Sequence, residues 1–172
     1  LAEWIIEQTG SWTGEDYNET YSEERFRAFA GLMDHPDPVI ASLALSEVDK
    51  VPYRMLRTID LKLPAEQILD DLWTPYGFVY RSVRILLLGV SGSDIARDEV
   101  YAYVDRATSW DGAADLGPYA TALIELDGAD GIARLESGFL ADPGRPLITI
   151  DPVISGLAEQ SFHGDPALGP AI

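Results

Sequence analysis

An octapeptide that occurs twice constrains this chain more than anything else in it. Asp37-Pro38-Val39-Ile40-Ala41-Ser42-Leu43-Ala44 returns as Asp151-Pro152-Val153-Ile154-Ser155-Gly156-Leu157-Ala158, with six of eight positions identical and the first four unchanged. Each copy reads as a helix start. An aspartate at the N-cap accepts from the free amides of the first turn and lies at the positive end of the helix dipole. A proline just after it has no N–H to satisfy, and its fixed φ suits the helix. Val39, Ile40, Leu43, Ala44 and Val48 follow at helical spacing, as do Val153, Ile154, Leu157, Ala158 and Phe162. The copies lie 114 residues apart (151 − 37), which is three units of 38. That is about the length of a two-helix repeat.

The rest of the chain divides into segments of helical period. Helices are expected over Glu23–Met33, Pro38–Asp49, Pro52–Ile59, Ala65–Trp73, Phe78–Leu88, Asp94–Ala107, Pro118–Leu126 and Gly131–Leu140, with a last one capped by Asp151. Phe78–Leu88 is the most hydrophobic and is expected at the centre, closed by Gly89 as its C′ residue. Asp165-Pro166 starts like another capped helix. Leu147-Ile148-Thr149-Ile150 is the one stretch that resembles a strand, and it has no evident partner. The expectation is an all-α fold of about four helical pairs over residues 22–172. Residues 1–21 precede it as a short helix and an acidic loop, read as the remnant of an upstream segment. The first residue is Leu1 and not Met, which is compatible with a removed export signal or a preceding domain.

The unit Arg25–Asp49, with Leu32, Asp34, Asp37-Pro38-Val39, Ala41, Ala44, Leu45 and Val48, resembles a HEAT hairpin. The fourth pair, Ile132–Phe162, resembles it less closely. The resemblance implies a right-handed α-α superhelix of the HEAT or armadillo kind. The chain is also similar to uncharacterised bacterial helical-repeat proteins. What this implies is a non-enzymatic scaffold for protein–protein interaction. The repeat motif is one of packing, so it carries no functional residue onto this chain.

Charge narrows the partners. Twelve basic against 29 acidic residues give a net charge of −17. Nucleic-acid binding rests on neutralising phosphates with Lys and Arg, and anionic membrane surfaces ask for the same. Both are disfavoured; a basic protein partner is not. No apolar run approaches the roughly 20 residues of a membrane span. The chain is expected to be soluble, in cytoplasm or periplasm. It has no cysteine, which removes disulfides, thiolate metal sites and cysteine nucleophiles.

Arg81 and Arg84 stand three apart on the most apolar helix, and Arg54 and Arg57 repeat the spacing one unit earlier. Such arginines either line a groove and bind a carboxylate or phosphate, or pair with Asp70, Asp71 or Asp105 and fix the stacking. Trp12, Tyr17 and Trp110 fall in loops, as contact anchors for a partner or as covers for the ends of the stack. His35 and His163 read as loop histidines at repeat junctions, 128 residues apart (163 − 35) and without a metal-ligand spacing. Asp127-Gly128-Ala129-Asp130-Gly131 lacks the spacing of a calcium loop and reads as a turn. Asp70 and Asp71 are adjacent and face different ways on a helix; Glu15 and Asp16 are further acids in an acid-rich chain. Gly89-Val90-Ser91-Gly92 is not a nucleophile elbow. No catalytic residue, cofactor or metal ligand is therefore assigned. The candidate contact residues are Arg81, Arg84, Trp12 and Trp110. Two alternatives to the scaffold stand beside it: a small-ligand or hydrolytic site in the groove of the stack, and a structural cap for an upstream domain.

Overall fold

The structure, a computed structural model, describes residues 23–59, 63–75 and 77–172. The short helix and acidic loop expected before residue 22, with Trp12, Glu15, Asp16 and Tyr17, lie outside the described residues. The fold is all-α. Its helices are α1 (Glu23–Ala30), α2 (Pro38–Val48), α3 (Tyr53–Leu56), α4 (Ala65–Leu72), α5 (Arg81–Ser91), α6 (Asp94–Ala107), α7 (Leu116–Asp127), α8 (Ala129–Leu135) and α9 (Leu147–His163). A 3₁₀ turn, Gly77–Tyr80, leads into α5, and another, Pro166–Ala171, follows α9. No strand occurs among the described residues, and no helix there is long and apolar enough to cross a membrane.

Local signals set several helix starts as expected. The Asp37 carboxylate accepts from the Val39 N–H at 2.9 Å, with Pro38 in the first turn of α2. Ser93 accepts from Ala96 N–H at 3.1 Å and caps α6. Asp165 caps the final 3₁₀ turn through Ala167 N–H at 2.9 Å.

The second octapeptide is placed differently from the first. Asp151 does not cap α9: the helix begins four residues earlier at Leu147, with Pro146 at its N-cap and Pro152 inside it. The strand-like Leu147–Ile150 stretch is its first turn. Long-range ties explain the early start. Arg145 donates to the Thr108 carbonyl at 2.9 Å, and Gly112 N–H donates to Thr149 Oγ1 at 3.3 Å. The environments differ too: Val153 is fully buried, whereas Val39 is 74% exposed.

The centre is α7, and not the segment Phe78–Leu88. Leu116, Tyr119, Ala120, Thr121, Ala122, Leu123 and Ile124 of α7 are all buried, and α5, α6, α8 and α9 pack around it. Each of its large apolar side chains contributes roughly 1.5–3 kcal/mol through burial. Close approach is made possible by glycines. A Cβ on Gly89 would stand 2.8 Å from Ala122 Cα, and one on Gly156 2.7 Å from Ala120 Cβ. Gly89 therefore belongs inside α5, and Gly92, at φ 62°, is the left-handed residue that ends it.

Contacts fix the directions. Arg81 meets Asp115, Gly89 meets Ala122, Gly117 meets Pro152 and Ala120 meets Gly156, at offsets of 34, 33, 35 and 36 residues. A near-constant offset means parallel helices, so α5, α7 and α9 form one parallel layer. Tyr103 meets Asp115 and Glu99 meets Tyr119, pairs with a constant sum of 218, so α6 runs antiparallel to α7 as the other arm of a hairpin. Successive parallel helices are thus offset by 33–36 residues, and the 114-residue offset between the octapeptides does not coincide with three such steps.

A polar knot ties α3 into this layer. Tyr53 O–H donates to Glu125 at 2.6 Å, Arg57 Nε donates to the same carboxylate at 2.8 Å, and Gln160 Nε2 donates to the Tyr53 oxygen and the Thr121 carbonyl at 2.9 Å each. It joins residues as much as 107 apart in sequence.

The placement of the two prolines yields a direct check. Pro152→Ala restores a helical N–H in the interior of α9 and is expected to raise stability by on the order of 1–3 kcal/mol in urea unfolding. Pro38→Ala, at the first helical position, is expected to change it by less than about 0.5 kcal/mol. Equal effects would contradict the assignment of α9.

Candidate functional site

The parallel layer brings the beginnings of α5, α7 and α9 to one edge, and Arg81 lies there. Thr74 and the 3₁₀ turn Gly77–Tyr80 position it. Thr74 Oγ1 donates to the Asp71 carbonyl at 2.8 Å and accepts from Gly77 N–H at 2.9 Å. Gly77 packs so closely on the Asp71 carbonyl that no side chain fits there. This turn delivers Phe78 and Val79 to the surface, 67% and 71% exposed, although the apolar run suggested a buried helix.

The Arg81 side chain is largely buried at the edge. Its Nη1 donates to Asp115 Oδ2 at 3.2 Å, and its Nε donates to the Leu72 carbonyl at the end of α4 at 3.3 Å. The guanidinium carbon lies 4.7 Å from the Trp73 ring centroid and 4.8 Å from that of Phe78. A cation held between two aromatic faces and a carboxylate is a stiff arrangement. The rings continue inward. Trp73 stacks on Tyr103 with centroids 6.4 Å apart, and Tyr103 on Tyr119 at 3.8 Å with an interplanar angle of 7°. Tyr119, at the inner end, is fully buried and donates to Glu99 at 3.0 Å.

Trp110 arrives at the same edge from the end of α6, 53% exposed. With Trp73, Arg81, Tyr103 and Asp115 it lines an open depression of about 410 Å³. Beyond it Gly112 rests against Ile148, and Leu147 and Ile148 are 71% and 64% exposed. The depression thus joins the rings of Trp73, Tyr103 and Trp110 with two arginines, Arg81 and Arg106, and two aspartates, Asp111 and Asp115. Two of the four expected contact residues, Arg81 and Trp110, thus meet. Trp12 lies outside the described residues, and Arg84 turns away, toward a second cavity beside α2.

The remaining candidates resolve into structural roles. Arg57 joins the Glu125 knot, whereas Arg54 is exposed. Asp105 pairs with Arg134 across α6 and α8, not with Arg81 or Arg84. Asp71 is the expected partner that does face Arg84, at 4.0 Å. Asp127 receives Arg97 at 2.9 Å at the α7–α8 junction, where Gly128 has φ 56°. His35 accepts from Asp37 N–H in the turn before α2, and His163 ends α9. No cluster of three or more His, Asp or Glu with metal-binding geometry occurs among the described residues. Sequence reasoning missed Phe78 and Trp73 as the partners of Arg81. The signal was present in Thr74-Pro75-Tyr76-Gly77, whose proline and glycine break the helix just before Phe78.

Comparison with protein-family models, with curated proteins and with solved structures finds no match to this chain.

The aromatic column makes the fold sensitive to alkali. Burial raises the pKa of Tyr103, and burial together with the Glu99 carboxylate pushes Tyr119 far above the ordinary tyrosine range. A folded-state pKa raised above the unfolded value means that the unfolded chain loses its proton first. The contribution is therefore whole below about pH 10 and lost as pH rises beyond it. Ultraviolet titration is expected to show fewer than all eight tyrosines ionising before the fold is lost. Tyr119→Phe is expected to flatten the fall in stability above about pH 10. Complete ionisation in the folded state would contradict this packing.

Proposed function

We propose that this is a HEAT-like helical-repeat domain that binds another protein, and a basic one, through the aromatic–arginine edge at the starts of α5, α7 and α9, without chemistry of its own. One observation carries the reading. Trp73, Phe78 and Trp110 stand 52–67% exposed around the fixed Arg81 guanidinium. Trp, Tyr and Arg dominate the energetics of protein interfaces, because they supply large rigid contact area with little entropy to lose. Aromatic surface left to water is a cost that a partner would relieve. The edge is built on the buried layer around α7 and is thus pre-organised, which favours affinity.

The kind of partner follows from charge. Within the edge Asp111 and Asp115 are matched by Arg81 and Arg106, so the sign comes from the whole chain, which carries −17. Such a field draws basic surfaces in and turns acidic ones away, more through association rate than through final affinity. The helix directions support the same reading: α5, α7 and α9 run parallel, and their starts come to one edge among the described residues.

The test is a cross-linking capture from the source cells, comparing the wild-type chain with a Trp73→Ala/Trp110→Ala variant of unchanged circular dichroism and melting temperature. A basic protein is expected to be captured by the wild type and weakened by the variant about thirtyfold or more, which corresponds to the roughly 2 kcal/mol of an interface hot spot. Its association is expected to slow steeply between low and physiological salt. Capture that is indifferent to both tryptophans would contradict the proposal.

A further inference from the structure

We propose that the cavity between α2 and the α4–α5 turn is a binding site for a small monocarboxylate with an apolar body, its carboxylate held by Arg84. The cavity measures about 520 Å³. That lies within the roughly 300–1,000 Å³ of small-molecule sites. Among the described residues its walls are chiefly apolar, with Met33 and Leu45 on one side and Ile68 and Leu87 on the other. Such walls suit a hydrocarbon or an aromatic ring, and they leave orientation to a few polar groups.

Among the described residues, Arg84 is the cation that reaches the cavity. Its side chain is only 13% exposed. Nη1 donates to the Gly77 carbonyl at 3.2 Å. The Asp71 carboxylate stands 4.0 Å away, outside hydrogen-bond range and itself 55% exposed. A guanidinium has five N–H donors, so its capacity is mostly unspent in these contacts. Burial accordingly holds the Arg84 pKa below the ordinary arginine value, with Asp71 opposing only in part. A carboxylate entering the cavity would supply a paired acceptor, in the fork geometry that guanidinium matches best.

The surroundings set the ligand's charge. Asp34 and Asp71 also border the cavity. Among the described residues the border carries one cation and two carboxylates, so the single charge of a monocarboxylate is opposed less than the two of a phosphate dianion. His35, also at the border, accepts through Nδ1 from Asp37 N–H at 3.0 Å. The site does not depend on the edge around Arg81, and each can fail without the other.

The experiment is thermal unfolding of the full chain with decanoate and with 2-naphthoate, set against decanol, with affinities from calorimetry. At about 100 times its Kd, one of the two acids is expected to raise the melting temperature by about 5–10 °C, and decanol to raise it far less. Arg84→Met is expected to weaken that acid about tenfold or more. Because this variant is open to misfolding, Ala41→Phe serves as a second. It fills the cavity from α2, keeps Arg84 and is expected to abolish the shift, whereas Arg54→Met, at an exposed residue outside the cavity, keeps it. The proposal is overturned if neither acid shifts the melting temperature, if decanol matches the acids, or if binding survives Ala41→Phe.

Discussion

Everything in this structure depends on how closely α7 is approached from both sides. At Gly89 and at Gly156 the neighbouring helix comes so near that one added carbon would stand within 2.8 Å of α7 atoms. Ala120 and Ala122 are the matching small residues on α7. Backbones brought this near gain dispersion contacts along their length, and a shift of register would drive larger side chains into one another. The contact therefore determines register as well as distance. With register set, Arg81 arrives level with Asp115, and Gly112 level with Thr149.

Parallel packing has an electrostatic consequence that the edge turns to use. The positive ends of three helix dipoles gather on one side of the molecule. Asp115, immediately before α7, lies at one of them and accepts from Arg81. The arginine pair is divided by helix geometry. Three residues advance about 300° around a helix, so the two side chains diverge by about 60°. That is enough to send Arg81 toward α7 and the aromatic column, and Arg84 toward α2 and the cavity. One short apolar helix thereby serves two separate surfaces.

Signals local to a few residues were legible in the sequence. Asp37 and Asp165 cap where their side-chain chemistry indicates, and the all-α class follows from the apolar periods. What could not be read locally was decided by distant partners. Asp151-Pro152 has the same letters as Asp37-Pro38, but Thr149 and Arg145 are held by the α6–α7 loop and by α6's C-cap carbonyl, and they draw the start of α9 back to Leu147. The central helix was misjudged for a related reason. A search for hydrophobicity selects the leucines of α5, whereas α7 earns its position through Gly117, Ala120 and Ala122, small residues that permit approach. Trp110 and Arg81 could be named one at a time; that they share one depression required the register between α5 and α7.

Hydrogen exchange under native conditions, resolved by residue, tests the primacy of α7 most directly. Amides of Ala120–Ile124 are expected to exchange only through global unfolding, with a free energy equal to that from urea denaturation and a dependence on urea as steep. Amides in α4 and in the final 3₁₀ turn are expected to open at lower cost. If Ala120–Ile124 instead exchange through a local opening, at lower free energy than α5 or α9, then α7 is not what the stack is built on, and the register argument for the aromatic edge falls with it.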